Sequence, residues 1–182
     1  MNRSQLRIFN IEGYSTKLLN DSDVPVVQEF LEQCNDFFEL VEGRTVNPSA
    51  GNSIFVDRPP DKPEEDKYVI GIYDQPGSLI GLIDLVVDYP VEGEWFIGLF
   101  MLVPKHRKCG LGRKIYRAFE EWAYQYGAMS IGLGVVEQNK AACHFWEQMG
   151  FTLIAKRPPK RFGNKENIVL VMRHTLPTSK PG

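Results

Sequence analysis

The chain has 182 residues, 43% hydrophobic and 24% charged, with a net charge of −2. That is the size and balance of one globular α/β domain whose core needs no covalent staples. So small a net charge gives no long-range field for nucleic acid or an anionic membrane, and neither is expected as a partner. The three cysteines (Cys34, Cys109, Cys143) and three histidines (His106, His144, His174) have neither disulfide-framework nor metal-ligand spacing, so no metal is expected.

Met1 to Asn10 lacks a charged segment leading into an apolar one, and the longest apolar run, Trp95 to Val103, is too short to cross a bilayer. A cytoplasmic location is the expectation. Tyr14 to Leu19 reads as a short strand. Asp21 or Asp23 can cap a helix through Val26, Val27, Phe30 and Leu31, with Pro25 in its first turn. Asp36 to Glu42 continues as a second short helix, and Gly43 to Lys67, which has no sustained period, reads as a surface loop.

Tyr68 to Tyr73 and Leu79 to Val87 flank the turn Asp74-Gln-Pro-Gly77 as a hairpin. Trp95 to Val103 is nearly unbroken in apolar residues, as in a central strand covered on both faces. Leu111, Ile115, Phe119, Trp122, Ala123 and Tyr126 then recur at helical spacing until Gly127. Ser130 to Val136 is a strand, Asn139 opens a shorter helix ended by Gly150, and Phe151–Ala155 and Ile168–Met172 are the last strands. The order predicts one α/β domain over residues 1–182, with flexible ends at 1–10 and 177–182. Its core is a mixed sheet of six to seven strands with helices on both faces.

The informative stretch is Arg107-Lys108-Cys109-Gly110-Leu111-Gly112, set between a buried strand and a strongly amphipathic helix. Glycines there permit a tight turn, and the unpaired first-turn N–H groups with the helix dipole form an anion site. Arg107, Lys108 and Arg113 add positive charge suited to a pyrophosphate. Ile115 stands where a dinucleotide fingerprint needs its third glycine, and no Gly-Lys-Ser/Thr marks a P-loop.

The run Leu99 to Arg113, Leu-Phe-Met-Leu-Val-Pro-Lys-His-Arg-Lys-Cys-Gly-Leu-Gly-Arg, resembles motif A of the GNAT-type N-acetyltransferases. Asn139-Lys-Ala-Ala-Cys-His-Phe-Trp-Glu-Gln-Met-Gly-Phe151 resembles their motif B. The resemblance implies the GNAT fold and acetyl-CoA as co-substrate. It also implies that the backbone of Phe100, Met101 and Leu102 pairs with the pantetheine arm, while Lys108, Cys109, Gly110, Leu111, Gly112 and Arg113 hold the pyrophosphate. An extended pantetheine can act as an added strand on a backbone edge that this family opens by splaying its fourth strand from its fifth. Gly132 and Gly134, on one face of the fifth strand, either admit the cofactor arm or pack against a large neighbour such as Trp122. Asn139 caps its helix, contacts the cofactor arm, or does both.

Amine acetylation needs a neutral amine, a donor for the tetrahedral oxyanion and a proton for the CoA thiolate. The resemblance implies that the oxyanion donor is backbone N–H near Leu99 or Phe100. Two carboxylates are candidate bases. Simple alternation puts Glu94 on the face of Phe96, Gly98 and Phe100, a parity that a bulge would reverse. Asp84 is the rival, a carboxylate inside Leu-Ile-Asp-Leu-Val whose pKa an apolar setting would raise. Trp146 stands in motif B, among the cofactor-binding positions, where the family commonly has an acidic tyrosine. Indole cannot supply that proton, which leaves water, Tyr116 or Tyr89. Gly134 and Trp146 also replace the glutamate and tyrosine of enzymes similar to the ribosomal-protein acetyltransferases, which favours a small-molecule amine over a protein N-terminus.

The resemblance implies an acceptor side from the first helix pair and the last strand loop, here Phe37, Phe38, Glu39, Glu42 and Arg44 with the basic turn Arg157 to Arg161. The first group reads equally as the rim of an ordinary core, and the basic turn reads first as a solvated loop. The expected activity is acetyl transfer to a primary amine by direct attack in a ternary complex. The alternatives are a non-catalytic CoA-sensing module and acetylation of a protein amine. Similar proteins commonly form homodimers, and nothing in the sequence specifies an interface.

Overall fold

A computed structural model describes residues 7–177 of the chain. In chain order, β1 (Ser15–Leu18) leads to α1 (Val24–Glu32), α2 (Asn35–Glu42) and α3 (Ala50–Val56), then to β2 (Lys67–Tyr73), β3 (Leu79–Val86) and β4 (Glu94–Leu102). There follow α4 (Leu111–Gln125), β5 (Ser130–Val136), α5 (Lys140–Gln148), β6 (Thr152–Lys156), β7 (Lys160–Phe162), β8 (Lys165–Asn167) and β9 (Val169–Thr175). Seven strands form one mixed sheet in the order β1-β2-β3-β4-β5-β9-β6, and β7 and β8 make a separate hairpin. Among the described strands only β4 and β5 run parallel, as their connection through α4 requires. The sheet has helices on both faces, as the residue pattern predicts.

One face carries Trp95 against Trp122 of α4 (5.2 Å between ring centroids) and Phe100 against Phe145 of α5 (5.9 Å). The opposite face carries Leu99, which shares a cleft with Leu31, Phe37 and Ala50 of α1, α2 and α3. Of the ends expected to be flexible, 1–6 and 178–182 lie outside the described residues. Phe9 is buried against Phe119 and Trp122, and Leu176 donates its N–H to the Met129 carbonyl.

Two segments differ from the sequence expectation. Residues 43–67 contain α3, whose Gly51 N–H donates to the Gln28 side chain at 2.8 Å. A Cβ on Gly51 would meet the Val24 carbonyl at 2.9 Å, so α3 exists through a close helix crossing that local pattern does not encode. Residues 160–167 form the hairpin β7–β8, which docks on the C-terminus of α2. Lys165 Nζ reaches the carbonyls of Glu39 and Leu40, Asn167 Nδ2 that of Val41, and Asn164 N–H that of Glu42. The hairpin thus satisfies the orphan carbonyls of α2 and sets an ammonium on its negative pole.

Candidate active site

The register of β3 against β4 slips where the site begins. Leu85 pairs with Ile97 and Asp84 with Leu99, leaving Gly98 as the extra residue of a bulge. Pairing of β4 with β5 stops at the same level, at Ile97 and Leu133. Val103 N–H donates to Ile80 on β3, so by alternation Leu102 and Phe100 turn their peptide groups to the other side. β4 therefore ends in a backbone edge that β5 does not cover.

That edge runs into the loop before α4. Gly110 takes φ +84° and has nothing within 4 Å of its missing side chain. It offers α4 no side-chain cap, and the first internal bond of the helix is Lys114 N–H to the Gly110 carbonyl. The amides of Leu111, Gly112 and Arg113 thus have no carbonyl of their own helix to meet. Lys108, at φ 60°, Cys109 and Gly110 are exposed. Arg113 reaches Gln148, at the end of α5, at 3.2 Å. Arg107, expected to add charge beside the phosphates, is spent elsewhere: Nε donates to the Leu102 carbonyl at 2.7 Å, and both terminal nitrogens bond Asp36 of α2.

The bulge corrects the parity expected for Glu94. Before it, Glu94 and Phe96 share a face with Asp84 and Leu99; Phe100 faces α4 and α5 instead. Glu94 is 5% exposed and bonds Arg173 at 2.9 and 3.2 Å. It lies five residues from Leu99, about 16 Å along a strand. Asp84 lies directly opposite Leu99, 9% exposed, with Lys67 Nζ at 2.7 Å. Burial pushes its carboxyl above the usual range, Lys67 pulls it back, and Asp57 adds a smaller upward push. A Cβ on Gly98 would stand 2.9 Å from Asp84 Oδ2, so the bulge glycine leaves room for this carboxylate.

Across Leu99 from the open edge is a cleft of about 280 Å³. Phe37, Phe38 and Leu99 supply apolar wall, and Glu42, Arg44 and Asp57 supply charge. Glu42 and Arg44 pair with each other at 2.8 Å. Glu39 is exposed and does not line the cleft, and the basic residues 157–161 also lie outside it. Asp57, at the end of α3, escapes a sequence reading because only the tertiary fold brings that helix here.

Other expected residues divide cleanly. Asn139 caps α5 by accepting from Ala142 N–H at 3.1 Å. A Cβ on Gly132 would meet Glu94 Oε1 at 2.6 Å, and one on Gly134 would meet Val169 at 3.0 Å, so Trp122 is not their neighbour. Trp146 is 6% exposed among Phe100, Tyr116, Phe145 and Phe151. Tyr116 lies behind it, fully buried, with its hydroxyl 3.1 Å from His174 Nδ1. Burial pushes that hydroxyl far up, so it holds its proton. Tyr89 packs against Phe96, near the closed end of β4.

The sequence matches the model of the acetyltransferase (GNAT) family over residues 32–151. The chain belongs to that family. No curated protein matches it. This acetyltransferase is similar to an acetyltransferase from Thermus thermophilus, with TM-score 0.72 and 16% identity over 90% of this chain and 97% of that one. A GCN5-related N-acetyltransferase from Kribbella flavida gives TM-score 0.66 and 21% identity over 91% and 99%. A spermidine N-acetyltransferase from Vibrio cholerae, solved with CoA and spermine, gives 0.69 and 17% over 90% and 96%. At these identities the likeness shows the fold. Among the described residues no helix is long and apolar enough to cross a membrane.

Proposed function

We propose that the protein transfers an acetyl group from acetyl-CoA to a primary amine of a small molecule, by direct attack with both substrates bound. The observation that carries this reading is the unpaired stretch of β4, which leads to uncapped helix amides on one side and faces an open cleft across Leu99 on the other.

The residues present fit the co-substrate. The peptide groups of Phe100 and Leu102 suit a pantetheine arm laid down as an added strand. The exposed loop 108–110 and the amides of Leu111, Gly112 and Arg113 suit a diphosphate, with Lys108 adding charge. Acetyl-CoA supplies the activated thioester carbonyl. On the protein side, the Phe100 N–H is the donor for the oxyanion. Asp84, beside the cleft and raised by burial, takes the amine's proton through water. Trp146 gives no proton, and Tyr116 is sealed against His174. The CoA thiol, with an intrinsic pKa near 8.5, leaves as thiolate and takes its proton from solvent. With Glu42 neutralised by Arg44, Asp57 leaves the cleft lining net negative, which favours a cationic acceptor over an anionic one.

The test is thiol release from acetyl-CoA against a panel of small amines, with a protein N-terminal peptide as the rival acceptor. Turnover with a small amine and none with the peptide supports the reading. CoA binding without turnover on any acceptor would favour a sensing module, the alternative that Trp146 motivates. In calorimetry, Gly110→Glu is expected to weaken CoA binding at least tenfold, about 1.4 kcal/mol, by placing a carboxylate and a strained φ at the loop.

A further inference from the structure

Helix α2 joins the two halves of the site. Its first turn carries Asp36, its middle carries Phe37 and Phe38, and its end carries Glu42, all three of the latter in the cleft wall. Its C-terminus is held by the β7–β8 hairpin. Its N-terminus is held by Arg107, which follows β4 and bonds Asp36 through both terminal nitrogens.

The other end of the Arg107 side chain rests on the cofactor side. Nε donates at 2.7 Å to the Leu102 carbonyl, and the buried Cys34 thiol approaches the same oxygen at 3.7 Å. By the strand alternation, that carbonyl faces the uncovered edge of β4, where an added strand takes its hydrogen bonds. A carbonyl oxygen accepts two donors, so a pantetheine amide can join Arg107 here by displacing the long, weak contact of the Cys34 thiol.

We propose that Arg107 is a positioning residue that couples cofactor binding to the acceptor cleft, by linking the Leu102 carbonyl to Asp36 on α2. The proposal rests on the reading that the pantetheine arm lies along β4. Fixing the Leu102 peptide group then fixes the guanidinium, which in turn fixes the helix bearing Phe37, Phe38 and Glu42. Arg107 is suited to this because a planar fork with a separate Nε can hold a carboxylate and a carbonyl at once, whereas lysine is a point charge.

The experiment is amide hydrogen exchange on the full chain with and without coenzyme A, comparing residues 107–113 with residues 35–43. In the native protein coenzyme A should slow exchange in both segments, and in 35–43 by about fivefold, the low end of measured couplings. In Asp36→Asn, where an exposed carboxylate is lost, coenzyme A affinity should stay within about twofold. Protection of 107–113 should persist there, while the response of 35–43 disappears. Arg107→Lys should lose the same response. A native protein whose 107–113 amides respond while 35–43 do not would overturn the coupling and leave the cofactor site standing, as would an undiminished 35–43 response in Asp36→Asn. Failure of 107–113 to respond at all would overturn both.

Discussion

The start of β4 and its bulge are built from the same parts and differ in what lies beside them. At its start, Glu94 pairs with Arg173 over Gly132; at its bulge, Asp84 pairs with Lys67 over Gly98. Each carboxylate is buried, each has a basic partner, and each occupies the space of a missing Cβ. The strand edge separates them. Glu94 lies where β4 is paired on both sides, away from the residues that line the cleft, and Arg173 holds its carboxylate. Asp84 lies opposite Leu99, which stands in the stretch of β4 that β5 does not cover and lines a cleft. A buried acid is thus read from its access, and neither burial nor the presence of a glycine tells the two apart.

The sharpest break of this comparison is to neutralise each acid in turn. Asp84→Asn should lower kcat by about 10²–10⁴, the usual contribution of a positioned base. It also breaks the buried pair with Lys67, at a cost of about 3–5 kcal/mol, so the fold must be checked by thermal melting. Asp84→Asn combined with Lys67→Met removes both charges and should fold while remaining inactive. Glu94→Gln should lose about 1–3 kcal/mol of stability, by chemical denaturation, and keep kcat within about threefold. Equal losses of kcat in the two variants would erase the distinction.

The glycines give a finer version. A Cβ at Gly98 must displace Asp84, so Gly98→Ala should lower kcat and leave the KM for acetyl-CoA unchanged in steady-state kinetics. Gly132→Ala presses on Glu94 instead and should lower Tm without a kcat effect.

The smallest effect expected lies away from both carboxylates. Burial pushes the Glu120 carboxyl up, but His174 and Arg117 hold it net below its ordinary 4.5. A depressed folded pKa contributes stability above the unfolded value and loses it as pH falls through the folded one. The Tm difference between the native protein and Glu120→Gln should therefore be full near neutrality and close progressively below about pH 4.5.

Sequence legibility followed the same divide. The loop at Gly110, the α4 helix and the succession of the main-sheet strands along the chain are readable because each writes a local pattern: a glycine pair before an amphipathic run, or apolar runs between turns. The bulge at Gly98 is not, since it is a relation between two strands. That one residue moved Glu94 off the face of Phe100 and left Asp84 beside the site. Helix α3, Ala-Gly-Asn-Ser-Ile-Phe-Val, has weak helix formers and persists through Gly51 against α1. The hairpin at 160–167 is short and charged, and its reason for existing lies on α2, more than a hundred residues earlier.

That hairpin has a consequence for how such an enzyme diversifies. It is strapped to the last turn of α2 and is no part of the main sheet, so edits to its length or tip would bear on the Phe37–Glu42 segment while leaving the strand pairing of β4 intact. The wall of the cleft can therefore vary through residues that lie far along the chain and outside the main sheet.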